Sequence, residues 1–433
     1  MKYSKFNTIV PFEDNFVYHN SFTQRFLLLK PLLIDLIEAS KSENNIEELK
    51  IIHPDLFNSL IENGFLVPKE QDEIQKVQNM MQKIDGRDDS FYLIVNTTMN
   101  CNFSCWYCYE SHIKNSKLDK ININKIKKFV EITFAEKSNL KLFTLSFFGG
   151  EPLLFFDDAI IPVIENTSRT VQKYGATLQV GFTTNGLLIN ERIIKALSKY
   201  KISGFQISFD GNKEHHDQTR FVSKSRGSYD EIMANVKLIV RNGMSVTLRI
   251  NYTAKNLPEL SGILIDLDEL KQVEKDRIVI SMNKVWQEEN RNLWGSVKEF
   301  YQKAEQYGLH STDALAGDTV RNSCYADKIN EAVINYNGDV YKCNARDFKS
   351  ENRDGYLADN GSISWGKNIQ NRLNIKLKNK PCLDCTIMPI CGGGCTQVAW
   401  ENRNRDYCVN DFDESRKKEI VLEMFHSKRL EYV

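Results

Sequence analysis

The sequence lacks an excess of charge of either sign. Its 433 residues contain 57 Lys and Arg against 57 Asp and Glu, so the formal net charge is zero. Proteins that bind nucleic acid or anionic membranes usually carry a surplus of positive charge. We therefore expect neither nucleic acid nor a membrane among the partners.

Long apolar runs are also missing. No stretch approaches the roughly 18 consecutive apolar residues of a membrane-spanning helix, and the first residues, MKYSKFNTIVPFEDNF, contain no apolar signal-peptide core. These features predict a cytoplasmic protein, in which disulfides are rare. The chain also lacks internal repeats and low-complexity tracts. Its length suggests several domains of roughly 100–200 residues each.

What the sequence does contain is ten cysteines in two groups. The first group is Cys101, Cys105 and Cys108. After a gap of 215 residues, seven more fall between Cys324 and Cys408. In a cytoplasmic chain this clustering indicates metal ligands rather than disulfides or scattered core residues.

Residues 1–75 are predicted to form a winged-helix-like unit. The segments FNTIVPF, NFVYHN and FTQRFLLLK are typical of three short strands. One helix is predicted to begin at Pro31, and a second to run from Pro54 to a glycine cap at Gly64. FLVPK resembles a wing strand, residues 70–88 are charged and predicted to be helical, and residues 76–90 are predicted to be a linker.

Residues 91–300 alternate between strand and helix. Strands are predicted at 91–97, 142–149, 178–185, 204–210, 245–253 and 277–283. Six β–α units imply a parallel sheet with right-handed crossovers, two units short of a closed TIM barrel. We therefore predict an α/β protein with a partial (β/α)6 TIM-like barrel, whose site lies at the carboxyl ends of the strands. A bridging segment (301–323) and a loop-rich C-terminal iron–sulfur domain ending in a helix (324–433) follow.

The first cysteine group has the spacing C-x3-C-x2-C and directly follows the first barrel strand. Thiolates suit iron–sulfur clusters and zinc, and three ligands leave one coordination position open for chemistry. In this spacing and position the sequence resembles the radical S-adenosylmethionine (SAM) superfamily. The resemblance implies that Cys101, Cys105 and Cys108 hold a [4Fe–4S] cluster and that SAM binds its fourth iron. One electron then breaks the sulfonium bond and yields a 5′-deoxyadenosyl radical.

Further motifs match the same family in order. GGEP follows the second strand, where glycines allow close backbone approach; TTNG ends the third strand and SFDG the fourth. Any one of them alone would also fit a turn glycine or a surface ion pair. The resemblance implies SAM contacts from Tyr107, Gly149, Gly150, Glu151, Asn185, Ser208, Asp210, Arg220 and Asn251. Glu151 is expected at the SAM ammonium, Ser208 and Arg220 at its carboxylate, Tyr107 near the adenine, and Asp210 and Asn251 at the ribose.

The second cysteine group resembles the SPASM domain of certain radical SAM enzymes. Its spacing combines G-x4-C with C-x2-C-x5-C-x3-C. A zinc ribbon would need four cysteines, but seven do not divide into closed four-ligand sites. The resemblance implies two auxiliary [4Fe–4S] clusters, and so three in all. One is assigned to Cys382, Cys385, Cys391 and Cys408, and the other to Cys324, Cys343 and Cys395.

The cysteine count leaves one further site open. A SAM cluster with three ligands and two closed clusters with four each would need eleven cysteines, but the chain has ten. One auxiliary cluster therefore has an open iron, a non-cysteine ligand or a ligand from the substrate. Asp318 stands near the position where some relatives carry an extra cysteine. We interpret it as an exposed loop residue in preference to a ligand.

The resemblance favours an enzyme that modifies peptides. SPASM enzymes include maturases of ribosomally made peptides and anaerobic sulfatase maturases, which form formylglycine. The sulfatase maturases typically have an Asp directly after the G-x4-C cysteine, and this Asp acts as a general base. Here that position is Asn344, which cannot accept a proton as a carboxylate does. Asp347 is a possible substitute, and both are weak catalytic candidates.

The N-terminal unit resembles the leader-peptide recognition element of such maturases. That element binds its peptide by strand addition. Residues expected to contact the leader are Thr23, Arg25, Leu27, Leu33 and Ile37. The alternative is a packing domain without a ligand.

We predict a radical SAM maturase that forms a thioether or carbon–carbon cross-link in a precursor peptide, or epimerises one of its residues. A flavodoxin- or ferredoxin-type donor is expected to supply electrons. Two alternatives are formylglycine formation and a non-catalytic metal-binding protein that recognises peptides.

Overall fold

The chain divides into two units. The computed structural model describes residues 1–43, 45–223, 225–288, 293–312 and 317–430. The first unit comprises Met1–Arg87, Ala314–Ile329 and Gln370–Val433, and the second Asp88–Asp313 and Asn330–Ile369. Among the described residues, no helix has the length and apolarity needed to cross a membrane. Residues 313–316 of the predicted bridging segment and residues 431–433 of the predicted C-terminal helix lie outside the described residues.

The N-terminal segment contains a three-stranded antiparallel sheet, a short strand pair and four helices. In chain order these are β1 (Lys2–Tyr3), β2 (Asn7–Phe12), β3 (Asn15–Asn20), β4 (Arg25–Leu29), α1 (Pro31–Ser42), α2 (Ile46–Ile52), α3 (Pro54–Glu62), β5 (Leu66–Val67) and α4 (Glu73–Asp85). Strands β2, β3 and β4 lie side by side in that order, and β1 pairs with β5. The three predicted strands and both proline-initiated helices are confirmed, whereas β1 and α2 were not predicted.

The second unit is built on a large, mainly parallel sheet. Its elements are β6 (Ser90–Asn96), α5 (Lys120–Glu136), β7 (Leu142–Phe148), α6 (Ile161–Lys173), β8 (Thr177–Thr184), α7 (Glu191–Leu197), β9 (Ile202–Phe209), α8 (Lys213–Thr219), β10 (Phe221–Ser223), β11 (Arg226–Gly227), α9 (Tyr229–Arg241), β12 (Val246–Tyr252), α10 (Ser261–Leu267), α11 (Gln272–Lys275), β13 (Ile278–Lys284), α12 (Trp294–Gln306), β14 (His310–Ser311), β15 (Glu331–Ile334), β16 (Asp339–Tyr341), β17 (Gly355–Leu357) and β18 (Ile363–Trp365). The sheet order is β14-β13-β12-β9-β8-β7-β6-β15-β16-β17-β18.

Six strands of this sheet match the predicted barrel strands. Strands β6, β7, β8, β9, β12 and β13 are parallel neighbours, and each lies within two residues of its predicted bounds. The sequence did not predict the extension of the sheet by β15–β18. In that extension, β15 pairs in parallel with β6, and the remaining strands are antiparallel.

The two faces of the parallel strands differ in polarity. On β9 and β12, Phe205, Ile207, Leu248 and Ile250 are fully buried in the main apolar core. Because side chains alternate along a strand, the residues between them, such as Ser208 and Arg249, face the opposite side. Polar residues therefore line the inner face, whose carboxyl end carries the predicted site.

The C-terminal segment returns to the first unit. Its helices are α13 (Ile369–Leu373), α14 (Lys380–Leu383), α15 (Met388–Cys391), α16 (Thr396–Glu401) and α17 (Glu414–Leu430). One face of the N-terminal sheet packs on α1–α3 through a core that includes Tyr18, Leu29 and Leu60. The other face packs on the cysteine-bearing segment and α17, with Val10 and Val17 in one cluster with Ile387, Ile390 and Val421.

Candidate functional site

The loop after β6 brings together the three cysteines of the first group. Met99 N donates to Ser116 Oγ at 2.8 Å, and Thr98 Oγ1 donates to Ser116 O at 2.7 Å, so the entry to the loop is tied down. Within the loop, Cys108 N donates to Cys105 O at 3.1 Å, and Phe103 N donates to Cys101 Sγ at 3.4 Å. An amide directed at sulfur is a contact that iron–sulfur thiolates commonly accept.

The pKa values of the cysteine thiols in this loop favour binding of a metal cation. Burial raises the pKa of Cys101 to about 12 and that of Cys108 to about 11. The Cys105 thiol is also close enough to Cys101 and Cys108 to disfavour the ionisation of both. Thiolates here are therefore costly without metal, and bound iron would supply the missing positive charge.

The side chains do not converge on a single metal ion. Within the described ranges, no group of three or more His, Cys, Asp or Glu residues could hold one ion. A mononuclear zinc site requires four donors around one centre. The thiolates of a [4Fe–4S] cluster bind separate irons, so such a cluster does not require three donors around one ion.

The GGEP motif forms a tight turn at the end of β7. Gly149 and Gly150 have φ values of 82° and 50°, and a Cβ on Gly150 would lie 2.1 Å from Asn100 O. The fully buried Glu151 accepts hydrogen bonds from Thr184 Oγ1 at 2.7 Å, Asn185 N at 2.7 Å and Leu153 N at 3.0 Å. Its carboxylate thus joins the ends of β7 and β8.

Four of the predicted SAM-binding residues form one buried network. The Tyr107 hydroxyl accepts hydrogen bonds from Arg220 Nη2 at 2.8 Å and Asn251 Nδ2 at 3.0 Å, and donates to Asp210. Arg220 also pairs with Asp210, and both are less than a tenth exposed. Ser208 lies two residues before Asp210 and opposite Arg249 in the register of β9 and β12.

A cavity of about 340 Å³ adjoins this network. It is lined by Tyr107, Asp210 and Asn251 from the network and by Trp106, His215, Gln218, Thr219, Thr253, Lys255, Asn256 and Val285. Its volume falls within the range of roughly 300–1,000 Å³ typical of small-ligand pockets. The mixture of an aromatic ring with amide, hydroxyl and charged groups can hold a ligand that has both apolar and polar parts.

Asn185 and the cysteine loop are joined by a residue that the sequence patterns did not indicate. Asn185 Nδ2 donates to Asn102 Oδ1 at 2.6 Å and lies 4.0 Å from Cys101 Sγ. Asn102 is the residue after the first cysteine. Its type carries no motif signal, so only the folded loop shows this role.

Glu110 is a second residue that sequence reasoning missed. Its Oε2 accepts from Gly150 N at 2.9 Å, while its Oε1 is buried without a hydrogen-bond partner in the described part of the chain. Burial raises the pKa of this carboxyl to about 7. The only feature of the sequence that could have indicated Glu110 is its position two residues after Cys108.

The two weak catalytic candidates contact the same loop. Asp347 accepts from Ser111 N at 2.8 Å and from Ser111 Oγ at 2.6 Å, and these contacts help to lower its pKa although burial opposes them. The carbonyl of Asn344 accepts from the Tyr109 hydroxyl at 2.7 Å. In this arrangement, both residues anchor the cysteine loop.

Four cysteines of the second group are neighbours in the first unit. Cys382, Cys385 and Cys408 all disfavour ionisation of the half-buried Cys391, and desolvation raises the pKa of Cys391 to about 11. Asn379 Nδ2 lies 3.1 Å from Cys382 Sγ. A Cβ on Gly393 would lie 2.8 Å from the same sulfur, so glycine leaves room there.

The remaining three cysteines are divided between the units. Cys324 and Cys395 belong to the first unit, where Thr396 N donates to Asp327 Oδ1 at 2.7 Å and ties their two loops together. Cys343 follows β16 in the second unit.

Asp318 is not the exposed loop residue we expected. It is 6% exposed, and it accepts hydrogen bonds from Arg321 N and Nη1, both at 2.8 Å, from Val320 N at 3.1 Å and from Gln24. Its carboxylate is therefore fully engaged in holding its own loop.

The residues predicted to contact a leader peptide divide into exposed and buried ones. β4 is the outer strand of its sheet, and no other strand of the described residues pairs with its free edge. Thr23 and Arg25 are exposed, and Leu27 and Leu33 are half-buried. Ile37 is 1% exposed and belongs to the core beneath the surface of this unit, so its side chain is not available to a peptide.

Comparisons with known proteins agree with this geometry. Residues 95–254 match the family model described as radical SAM superfamily. The chain is 27% identical to a cysteine-type anaerobic sulfatase-maturating enzyme of Clostridium novyi over 78% of this chain and 98% of that one. It is 23% identical to the radical SAM cyclopropyl synthase TigE of Paramaledivibacter caminithermalis over 53% of this chain, and spans about half of that protein (50%).

Two solved structures share the fold. anSMEcpe with bound AdoMet superposes with a TM-score of 0.58 at 16% identity, covering 79% of this chain and 94% of that one. Streptococcus suis SuiB bound to precursor peptide SuiA gives 0.51 at 15% identity, covering 94% and 98%.

Proposed function

We propose that this chain, of which residues 95–254 match the radical SAM superfamily, is an enzyme that matures a ribosomally made precursor peptide. It would remove a hydrogen atom from a carbon of the peptide. A thioether or carbon–carbon cross-link would then form with loss of a second hydrogen as a proton and of one electron, which an auxiliary cluster would accept. Epimerisation would instead require a hydrogen atom from a solvent-exchangeable donor to return to the same carbon. The observation that carries the proposal is the buried network of Tyr107, Asp210, Arg220 and Asn251 beside the three-cysteine loop. It supplies a cofactor cavity at the strand ends, as radical chemistry requires.

The residues present fit the cofactors that this domain implies, a [4Fe–4S] cluster and SAM. Cys101, Cys105 and Cys108 would hold the cluster. When bound, the two groups supply the one-electron cleavage of a sulfonium bond that yields a 5′-deoxyadenosyl radical. The protein provides binding, orientation and exclusion of water.

The roles proposed for the SAM-binding residues follow from their contacts. Arg220 would direct its guanidinium at the SAM carboxylate, with Ser208 nearby, while Asp210 holds that guanidinium in place. Asn251 and Tyr107 would lie beside the nucleoside part. Because the Glu151 carboxylate is already engaged, we assign the ammonium contact to the backbone of the Gly149–Gly150 turn, which Glu151 and Asn185 support.

We further propose that the C-terminal segment is a SPASM-like iron–sulfur domain with two auxiliary clusters. Cys382, Cys385, Cys391 and Cys408 would close the first, which their mutual proximity supports. Cys324, Cys343 and Cys395 would hold the second, with its fourth iron open to substrate. Because the Asp318 carboxylate is engaged within its own loop, we do not propose it as a ligand there.

The N-terminal sheet is proposed to act as a winged-helix-like recognition element for a leader peptide. Support comes from the free edge of β4, because an extended peptide adds readily to such an edge. Thr23, Arg25 and Leu27 would contact the peptide, with Leu33 beside them. A low-potential flavodoxin- or ferredoxin-type protein would supply electrons.

Formylglycine formation is the second candidate. It is favoured by the alignment with nearly the whole of a sulfatase-maturating enzyme. It is disfavoured at the base position, because Asn344 replaces an acid and Asp347 is engaged with Ser111.

The test is co-expression with candidate precursor peptides, followed by mass spectrometry. Loss of two hydrogens indicates a cross-link, and deuterium uptake from heavy water without other mass change indicates epimerisation. Loss of sulfur with gain of an aldehyde would establish the second candidate. A protein that binds zinc and releases no 5′-deoxyadenosine under reductant would be a non-catalytic binder instead.

A further inference from the structure

The segment that carries Cys382, Cys385 and Cys391 rests directly on the N-terminal sheet. Ile387 and Ile390 are fully buried against Val10 of β2 and Val17 of β3. Met388, also fully buried, packs in a neighbouring cluster with Phe6. Most of the residues between the second and third of these cysteines are therefore enclosed by residues of the N-terminal segment.

Polar contacts hold the same segment on both sides of Cys385. Ser21 Oγ donates to Thr386 O at 2.5 Å, and Thr8 Oγ1 donates to Thr386 Oγ1 at 3.1 Å. On the other side of the cysteine, Lys5 Nζ donates to Leu383 O at 2.6 Å. The chain on either side of Cys385 is thus held by side chains that lie 365 to 378 residues earlier in the sequence.

These contacts bear on the direction of the Cys385 thiol. Ser21 is fully buried, so the Thr386 carbonyl that it binds has little access to water as an alternative partner. If that hydrogen bond is lost, the peptide unit between Thr386 and Ile387 loses its anchor. The turn that begins at Cys385, where Met388 N donates to Cys385 O at 3.2 Å, is then less firmly held, and so is the direction of the thiol. Supporting contacts of this kind orient metal ligands and tune the metal that they bind.

We propose that β2 and β3 are part of the auxiliary cluster's binding site, and that Ser21 and Thr8 are positioning residues for Cys385. The inference rests on the proposed assignment of a cluster to Cys382, Cys385, Cys391 and Cys408. The N-terminal segment then has a second role beyond peptide recognition. It sets the geometry, and so the reduction potential, of a cluster whose potential depends on its surroundings.

The experiment uses the full-length protein, reconstituted anaerobically. Iron content, the electron paramagnetic resonance spectrum of the reduced protein and a potentiometric titration are compared across variants. Ser21→Ala and Thr8→Val each remove one hydroxyl group that donates a hydrogen bond to Thr386. Thr8→Ser keeps this hydroxyl and serves as the conservative variant. Ser40→Ala is the matched control, because Ser40 is a buried hydroxyl of the same unit that contacts Tyr3 and Ile37 instead.

We expect Ser21→Ala and Thr8→Val to shift the potential and spectrum of one cluster, or to lose about four irons per chain, with the circular dichroism spectrum unchanged. Thr8→Ser and Ser40→Ala should match wild type. Wild-type iron content, spectrum and potential in both Ser21→Ala and Thr8→Val would overturn the proposal. If one variant fails to fold, the other decides.

A separate variant tests the assignment on which the inference rests. Cys382→Ala in an otherwise wild-type chain should lose the iron of one cluster. If it keeps the full iron content, the cluster assignment itself fails, whatever Ser21 and Thr8 do.

Discussion

Arg220 and Asp210 form a buried ion pair at the carboxyl end of the parallel sheet, with Arg220 Nε 2.5 Å from Asp210 Oδ2. Asp210 follows directly after β9, and Arg220 directly after α8. The Tyr107 hydroxyl contacts both, so the cysteine loop is linked to β9 through one pair of charges. In the proposed function, this pair holds the Arg220 guanidinium in position for the SAM carboxylate.

Breaking this pair should cost both stability and SAM affinity. Asp210→Asn leaves Arg220 buried beside a neutral partner, and loss of one partner of a buried pair costs about 3–5 kcal/mol. We expect the unfolding midpoint in urea to fall and the SAM dissociation constant to rise about tenfold or more. Arg226→Gln, which breaks the exposed pair with Glu231, is the control and should change neither. Equal behaviour of the two variants would contradict the assigned role.

Tyr107→Phe tests the hydroxyl at the centre of the network. The substitution keeps the ring and removes the hydrogen bonds to Asp210, Arg220 and Asn251. Buried partners left unsatisfied cost about 1–3 kcal/mol. We predict weaker SAM binding by isothermal titration with iron content unchanged. A Phe variant that binds SAM as tightly as wild type would show that the hydroxyl is structural only.

Gly150→Ala should disrupt the turn of the GGEP motif. Its Cβ would meet Asn100 O at 2.1 Å, so the cysteine loop would have to move. Gly175→Ala is the matched control, because Gly175 also has a positive φ, 68°, but its Cβ would meet nothing within 4 Å. We expect Gly150→Ala to lose iron from the Cys101, Cys105 and Cys108 site, and Gly175→Ala to lose only about 1 kcal/mol of stability. Equal iron content in both variants would show that the turn does not shape the loop.

Glu110 predicts a pH dependence in the cluster-free protein. Burial raises its carboxyl pKa from 4.5 to about 7, so the folded state binds the proton more tightly than the unfolded chain. The stability of the cluster-free protein should therefore fall as pH rises from about 4.5 through about 7. Glu110→Gln, which resembles the protonated form, should flatten this part of the profile measured by urea unfolding. The profile of Glu131→Gln, on an exposed position of α5, should remain that of wild type.

Much of the second unit's fold could be predicted from sequence. Its barrel strands are apolar runs separated by amphipathic helices, so periodicity alone locates them. Strands β15–β18 escaped because they are only three or four residues long, and β15 pairs with a strand about 240 residues away, where Glu331 lies opposite Tyr92. Local patterns carry no information on such a pairing.

The candidate site shows the same division. Tyr107, Asp210, Arg220 and Asn251 were found because they stand at strand ends or at motif spacings, and the structure joins them. Asn102 and Glu110 belong to no motif. Asp318 was interpreted as exposed because the sequence does not show the hydrogen-bonding partners of its carboxylate, which come together only in the folded loop. Ile37 was expected to contact the leader peptide because the sequence does not show which side of an amphipathic helix is covered by the rest of the protein.

The most direct test of the central claim is the fate of hydrogen from a deuterated precursor peptide. The anaerobically reconstituted enzyme is given SAM, reductant and the peptide, and the 5′-deoxyadenosine formed is analysed by mass spectrometry. Wild type should release 5′-deoxyadenosine that carries deuterium, and Cys105→Ala should release none. Nucleoside from the wild-type enzyme that contains no deuterium, with the peptide unchanged in mass, would contradict the account.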